Sequence, residues 1–324
     1  MNYEEAFSAF TSLFNHEMSD EQMRDFLVSM RLDSETSVDA LAAAATVMRS
    51  HAIALPVAGE LRPKLLDIVG TGGDKIGSFN ISSTVALLCA SMGSYVAKHG
   101  SRSVTSKSGS ADMFESLGVR LDLSIEQSAR LLEECGFTFM FAQNHHPAMK
   151  FIMPIRKTIS EKTVFNVLGP LTNPAGVQKI MLGVFDRSFV PKIAKALQIN
   201  NVKSAIVVSS REHMDEISIS DITYAARLSQ EGINEYEIDP TAYGIERQPL
   251  ETIVGGDAEE NAQILRNIFD NHATTAQRDI VMINAANAFI VDGKARDIQD
   301  GLEMAKEALL SGKAKAKLEE IIQV

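Results

Sequence analysis

From Leu65 onward, short apolar runs alternate with helical segments, and the first two runs each open into a loop of small polar residues. Leu65 to Val69 suits a buried strand, and the turn Gly70-Thr71-Gly72-Gly73-Asp74 follows at once. Asn80-Ile81-Ser82-Ser83-Thr84 then leads into an apolar helix ending near Gly93. A second strand, Tyr95 to Lys98, runs into a loop rich in Ser, Gly, Lys and Arg. Units of this kind build a largely parallel sheet covered by helices, with ligands held beyond the carboxyl ends of the strands. Two such loops suit a multiply phosphorylated small molecule.

The alternation continues. A helix is expected over Ser124 to Cys135, a strand over Phe137 to Ala142, and a polar loop from Gln143 to Pro147. A strand over Ile180 to Phe185, a helix over Val190 to Leu197 and a strand over Ser204 to Ser209 follow. Tyr224 to Asp239 reads as a strand pair turning at Glu231-Gly232, and the chain from Asp257 reads as helical, including Arg278 to Val291. Residues 1–60 read as helices only. Tyr3, Phe7, Phe10 and Phe14 form one apolar stripe, Ser19 with Gln22 is a capping-box pattern, and Asp39 to Met48 is alanine-rich. The expected fold is α/β: a small all-helical N-terminal domain, 1–60, joined by helices from about 145–175, and a large α/β domain, 65–324. The large domain carries a central, mostly parallel sheet flanked by helices.

Bulk properties narrow the function. The 324 residues carry a net charge of −11, which disfavours nucleic acid or an anionic membrane as partner. No apolar run approaches the ~20 residues of a membrane span, and the acidic, amphipathic start lacks the pattern of a signal peptide. The two cysteines, Cys89 and Cys135, lie in apolar surroundings without metal-type spacing. Buried thiols in a reducing, cytoplasmic setting are expected.

The Gly70 turn matches neither common phosphate fingerprint. Lys75 stands where a dinucleotide motif needs glycine, and Gly77 is followed by Ser78 rather than Lys-Ser/Thr. Its glycines still let backbone N–H groups approach an anion, and the helix start adds a favourable dipole. Asn80, Ser82 and Ser83 suit either ligand bonds or plain helix capping. The loop from Lys98 through Ser110 holds three fixed cations, Lys98, Arg102 and Lys107. It reads as a solvated loop or, in so acidic a chain, as an anion site. Asp215-Glu216 are hard oxygen ligands suited to Mg²⁺ beside a polyphosphate, provided that they lie in a loop, since strand neighbours point to opposite faces. His145-His146 read as structural or pocket-lining rather than metal-binding, and Arg156 is ambiguous on its residues alone.

Together these segments resemble the anthranilate phosphoribosyltransferase family, which acts second in tryptophan synthesis. The matching stretches are GTGGD (70–74), FNIS (79–82), KHGSRS with SKSGSAD (98–112), HPAMK (146–150), FNVLGPLTNPA (165–175) and MDEIS (214–218). The resemblance implies transfer of a phosphoribosyl group from phosphoribosyl pyrophosphate (PRPP) to anthranilate, with Mg²⁺, two ions per subunit, in a homodimer formed through the helical domain. It implies PRPP contacts from Gly70, Gly73, Asp74, Ser78, Asn80, Ile81, Ser82 and Ser83. Further contacts come from Lys98, His99, Gly100, Ser101, Arg102, Ser103, Val104, Thr105, Ser106 and Ser110. Lys98, Arg102 and Lys107 would neutralise the leaving pyrophosphate. Ser82, Asp215 and Glu216 would hold metal; Gly70, Ser101, His146 and Arg156 would hold anthranilate. The chain departs from the family pattern at Lys75 (usually Gly), Ser78 (Thr), Ser101 (Asn) and Lys162 (Arg), and Ser101 bears most on acceptor choice. The competing readings are a pyrimidine nucleoside phosphorylase of related fold, a non-catalytic nucleic-acid-binding relative, and a phosphoribosyltransferase for another aromatic acceptor.

Overall fold

In the computed structural model, which describes residues 1–103 and 107–324, the chain opens with α1 (Tyr3–Phe14), α2 (Asp20–Ser29) and α3 (Val38–Ser50). The Ser19/Gln22 capping box forms: Gln22 N donates to Ser19 Oγ and Ser19 N donates to the Gln22 side chain. The aromatic stripe of α1 is turned by about one residue from the expected face. Phe10 and Phe14 are buried with Ala6 and Leu13, whereas Phe7 is 39% exposed. The aliphatic residues Ala6 and Leu13 complete the inward face, which the aromatic spacing alone does not mark.

The rest of the chain comprises β1 (Leu65–Gly70), α4 (Ile81–Ser91), β2 (Tyr95–Gly100), α5 (Ser110–Leu117), α6 (Ile125–Cys135) and β3 (Phe137–Phe141). Next come α7 (Ala142–His145), α8 (Met149–Arg156), α9 (Phe165–Leu171), β4 (Lys179–Gly183), α10 (Val190–Ile199) and β5 (Ser204–Ser210). Then follow the hairpin β6 (Thr223–Ser229) and β7 (Gly232–Ile238), and four helices, α11 (Ala258–Phe269), α12 (Thr275–Asp292), α13 (Ile298–Leu310) and α14 (Lys313–Ile322). The stretch expected as a polar loop after β3 begins instead with the single helical turn α7.

Among the described residues seven strands form one sheet in the order β3-β2-β1-β4-β5-β6-β7. β1 to β5 are parallel; β6 and β7 are antiparallel. Alternate strand residues feed three apolar clusters, one of them built on Leu65, Ala97 and Met140. Leu66 and Ile68 pack with α4 and α12, while Ile180, Leu182, Ala205 and Val207 pack with α10 and the N-terminal helices. α8 and α9 lie against α2 and α3, so Ile152, Phe165 and Leu168 share the apolar cluster of Phe10 and Leu41. Among the described residues no helix is long and apolar enough to cross a membrane.

This strand order decides where a ligand can sit. The chain proceeds outward from β1 to β2 and β3, then returns to place β4 on the other side of β1. Such a reversal opens a crevice beyond the carboxyl ends of the two diverging strands. Here those ends are Gly70 and Gly183, which are register partners.

Candidate active site

The crevice is filled from one side by the acidic loop. After β5 ends, Met214 N donates to Ser210 Oγ at 3.1 Å, and Asn284 of α12 clamps Ile217 through both its N–H and its carbonyl, at 2.9 and 2.8 Å. Asp215 and Glu216 therefore lie in a loop rather than on a strand, which lets adjacent carboxylates face one site. The loop backbone presses onto β4 and the Asp215 side chain onto β1. A Cβ at Gly183 would overlap the Asp215 carbonyl, and one at Gly70 would overlap the Asp215 carboxylate. Both strand ends are glycine because the loop needs that space.

Backbone donors reach the two acids. Gly72 N donates to Asp215 Oδ2 at 2.6 Å, and Ser82 N, at the start of α4, donates to Glu216 Oε1 at 3.0 Å. Burial, with Asp74 beside it, pushes the Asp215 carboxyl up to about 7. Burial and the neighbouring Asp215 raise Glu216 well above the usual carboxylate range. Two buried acids without an ion-pair partner within 4 Å among the described residues form an oxygen-only donor pair in want of a cation, which is the chemistry that Mg²⁺ takes. Among the described residues no group of three His, Cys, Asp or Glu side chains is arranged for a metal, so an ion here would draw further ligands from a substrate. Lys75 follows the glycine turn with φ of 65°. That left-handed conformation costs a non-glycine residue about 1–2 kcal/mol.

Lys98 enters from β2. It is 1% exposed, and its Nζ donates to the Ile68 carbonyl at 2.6 Å and to Ser82 Oγ at 3.4 Å. Burial lowers its pKa, opposed by Asp67 and Glu216. Asp67 is buried in β1, accepting from Asn173 Nδ2 at 2.7 Å and from His99 N at 3.4 Å, and burial raises it to about 6. Asn173 also donates to the Ala97 carbonyl at 2.8 Å. The LTNPA segment thus braces β1 and β2 from beneath the loops.

The other two cations of this loop are exposed, unlike Lys98. Arg102 is exposed and paired with Glu115 through both terminal nitrogens, at 2.7 and 3.0 Å, and with Asp112 at 2.9 Å. Lys107 is exposed, as is Ser101, whose Oγ donates to the Arg102 carbonyl at 3.1 Å. Asp112 receives Ser103 N and Gly109 N, at 3.0 and 2.9 Å, and so closes the loop onto α5. Ser110 Oγ donates to the Ser101 carbonyl at 3.5 Å, beside Gly100. Val104, Thr105 and Ser106 lie outside the described residues. Asn80 precedes α4 but makes no side-chain capping bond. Its Oδ1 accepts from Asn261 Nδ2 at 2.9 Å. Ser83 is buried inside α4, and its hydroxyl has no partner among the described residues.

On the helical side, Arg156 ends α8 and is half-buried. Its guanidinium carbon stands 5.9 Å from the centroid of the Phe165 ring, and Nη1 donates to Met153 Sδ at 3.8 Å. It has no carboxylate partner among the described residues, and burial lowers its pKa. His146 and His99 stack with ring centroids 5.1 Å apart, each with a buried Nε2 that has no partner among the described residues. Burial first, then neighbouring imidazoles, holds His146 at about 4 and His99 at about 3, so both are neutral near pH 7. His145 is structural: its Nδ1 meets the Ile53 carbonyl at 2.7 Å, and Ile53 N donates back to the His145 carbonyl at 2.8 Å. Lys162 Nζ sits 3.2 Å from the Phe185 ring centroid and donates to the Gly73 carbonyl at 3.3 Å.

Asp67, Gly183, Asn261 and Asn284 support the site without a sequence signal of their own. Asn173 belongs to the FNVLGPLTNPA stretch, but nothing in that stretch points to Asp67 as its partner. Each acts on a residue far along the chain; Asn173 and Asp67, for example, are 106 positions apart.

Two family models match the chain: the helical bundle domain of a glycosyl transferase family over residues 1–52, and the α/β domain of that family over residues 62–315. Anthranilate phosphoribosyltransferase of Xanthobacter autotrophicus is 42% identical over 99% of this chain and 92% of its own length. The crystal structure of the Thermus thermophilus enzyme superposes with a TM-score of 0.92 at 37% identity, covering 100% of this chain and 95% of that one. Anthranilate phosphoribosyltransferase of Saccharomyces cerevisiae, solved in complex with PRPP and Mg, superposes with a TM-score of 0.87 at 27% identity, over 98% of this chain and 90% of that one. By its crevice, its two domains and its likeness along almost its whole length, the chain belongs to the anthranilate phosphoribosyltransferase family.

Proposed function

We propose that the protein transfers the phosphoribosyl group of PRPP to the amine of anthranilate, giving N-(5-phosphoribosyl)anthranilate and pyrophosphate, the second step of tryptophan synthesis. The observation that carries this reading is the meeting of four elements in the β1/β4 crevice. These are the glycine turn, the α4 N-terminus, buried Lys98 and the Asp215-Glu216 pair, joined by the Gly72–Asp215 and Ser82–Glu216 bonds. Loss of anthranilate fluorescence on addition of PRPP and Mg²⁺ tests it directly; an unchanged signal sinks it.

Asp215, Glu216 and the Ser82 hydroxyl would hold Mg²⁺, which when bound neutralises pyrophosphate oxygens; the reading carries two ions per subunit. Lys98 adds a fixed positive charge beside Ser82. Arg102 and Lys107 would join it only after Arg102 exchanges Asp112 and Glu115 for substrate oxygens. Backbone and side-chain groups of Gly70, Gly73, Asp74, Ser78 and Asn80 to Ser83 hold PRPP in this reading, with His99 to Ser106 and Ser110. The transition state resembles an oxocarbenium ion. An aromatic amine is already neutral at pH 7, so catalysis rests on positioning and on charge neutralisation rather than on a strong base. Arg156, with Gly70, Ser101 and His146, receives the acceptor. An unpaired guanidinium matches a carboxylate bidentately.

We place the helical domain at 1–60 with α8 and α9 packed on it, and the α/β domain at 65–324. A homodimer through the helical domain is supported by its exposed apolar residues Phe7, Val28, Ile53 and Phe151, and sedimentation velocity tests it. A cytoplasmic location is supported by two buried cysteines that are free rather than paired.

A further inference from the structure

We infer that Asn261 is a positioning residue that fixes the orientation of the Asn80 side-chain amide, so that Asn80 presents its NH₂ donors to a phosphate group. The inference rests on the reading of Asn80 as a PRPP ligand. Asn80 stands at the start of α4, yet its side chain does not cap the helix. Its Oδ1 is occupied instead, accepting from Asn261 Nδ2 at 2.9 Å and from Ser108 Oγ at 3.4 Å. Asn261 has no freedom to reverse. It is 2% exposed, and its own Oδ1 accepts from Gly256 N at 2.9 Å. A backbone N–H only donates, so the oxygen of Asn261 must face Gly256 and its NH₂ must face Asn80. The oxygen of Asn80 must then turn to Asn261. The two donors of Asn80 have no partner among the described residues, and a phosphate oxygen, which only accepts, is the ligand atom that they suit.

The backbone around this pair holds it in place. Gly255 N donates to the Gly77 carbonyl at 2.9 Å, Phe79 N donates to the Ile253 carbonyl at 3.1 Å, and Ser78 bridges Val254. The segment before α11 is thus paired with the residues that lead into Asn80. Gly255 has no alternative: a Cβ there would lie 2.5 Å from Asn261 Oδ1 and 2.6 Å from Phe79 Cα. A stretch of chain near position 260, remote from both glycine loops in sequence, therefore decides the donor pattern of the phosphate site.

The test is steady-state kinetics on Asn261→Asp, alone and combined with Asn80→Ala. Aspartate keeps the Gly256 bond but turns an acceptor toward Asn80, so Asn80 reverses and shows its oxygen to the phosphate. The KM for PRPP should rise by about 10- to 100-fold, with the KM for anthranilate changed less than about threefold. In the Asn80→Ala background the same substitution should add nothing to the KM for PRPP. An equal cost in both backgrounds overturns the inference, as does a fall in Tm with no change in the KM for PRPP. If Asn80→Ala alone leaves the KM for PRPP unchanged, the reading of Asn80 as a ligand fails and takes the inference with it. If Asn261→Asp does not fold, Asn261→Ala runs the same cycle at smaller amplitude, since it frees Asn80 without reversing it.

Discussion

The N–H of Ser82 and the carboxylate of Glu216 meet at 3.0 Å across 134 residues of chain. This contact joins the first turn of α4 to the loop after β5, and it orients the Glu216 carboxylate and opposes the rise that burial and Asp215 impose on it. A helix start favours an anion there through its free N–H groups and dipole.

Neutral isosteres of the acid pair should separate stability from function. Glu216→Gln and Asp215→Asn each remove a buried charge while keeping the shape. In EDTA their Tm should match or exceed that of the parent, because the cost of burying two neighbouring carboxylates is relieved. Mg²⁺-dependent PRPP binding, followed by titration calorimetry, should weaken at least about 10-fold. Unaltered Mg²⁺ dependence would count against the metal assignment.

Truncation of Arg156 should act on one substrate only. Arg156→Ala removes a half-buried guanidinium that has no carboxylate partner among the described residues. A lost charge-assisted bond is worth about 1.5–3 kcal/mol, so the KM for anthranilate should rise by about 10- to 150-fold. The KM for PRPP should move far less. Equal changes in both would refute a role at the acceptor carboxylate.

Gly183 should tolerate no side chain. In Gly183→Ala the new methyl overlaps the backbone of Asp215. Relief requires the acidic loop to move away from β4, at a cost of about 1–3 kcal/mol. Both urea midpoint and PRPP affinity should fall. Gly59→Ala serves as control, because nothing lies within 4 Å of a Cβ there. Similar behaviour of the two variants would show that Gly183 is not a packing constraint.

The histidine pair should make the fold acid-sensitive. His146 is held near 4 and His99 near 3 by burial, against an ordinary 6.5. The unfolded chain takes up these protons on acidification before the folded chain does. Their contribution to stability is therefore fully present above pH 6.5 and is lost as pH falls toward 4 for His146 and 3 for His99. Asp67, raised to about 6, works in the opposite direction over part of this range. His146→Asn leaves Asp67 in place, so the difference between the two stability curves isolates the imidazole. Denaturation at a series of pH values should give a shallower decline for the variant between pH 6.5 and 4. Parallel curves would remove His146 as a cause.

Much of the site was legible in the residues. The GTGGD and KHG loops and the Asp215-Glu216 pair stand out by composition and order, and the structure carries all three to the same edge of the sheet; Arg156 is ambiguous on its own residues and gains a role only through the family resemblance. Three things were not legible. The cations of the second loop look equivalent in sequence, but Lys98 is buried beneath the crevice while Arg102 is exposed and held by Glu115 and Asp112. Asn80 has the residue type and place of a helix cap, yet its side chain serves Asn261. Phe7 belongs to the aromatic spacing of α1 but lies on its outer face.

The sequence by itself determined local order: which stretches became strand, helix and turn, where helices began, and which loops were rich in donors. Periodicity and capping act over a few residues, so they can be read directly from the chain. Only the tertiary structure decided which loops meet. Placing β4 beside β1 brings Gly183 and Gly70 together, and the acidic loop then settles against both. That outcome depends on burying the two sheet faces and on satisfying polar groups such as Asp67 and Asn173 at long range. Those energies belong to pairs of residues a hundred or more positions apart, and no local pattern records them.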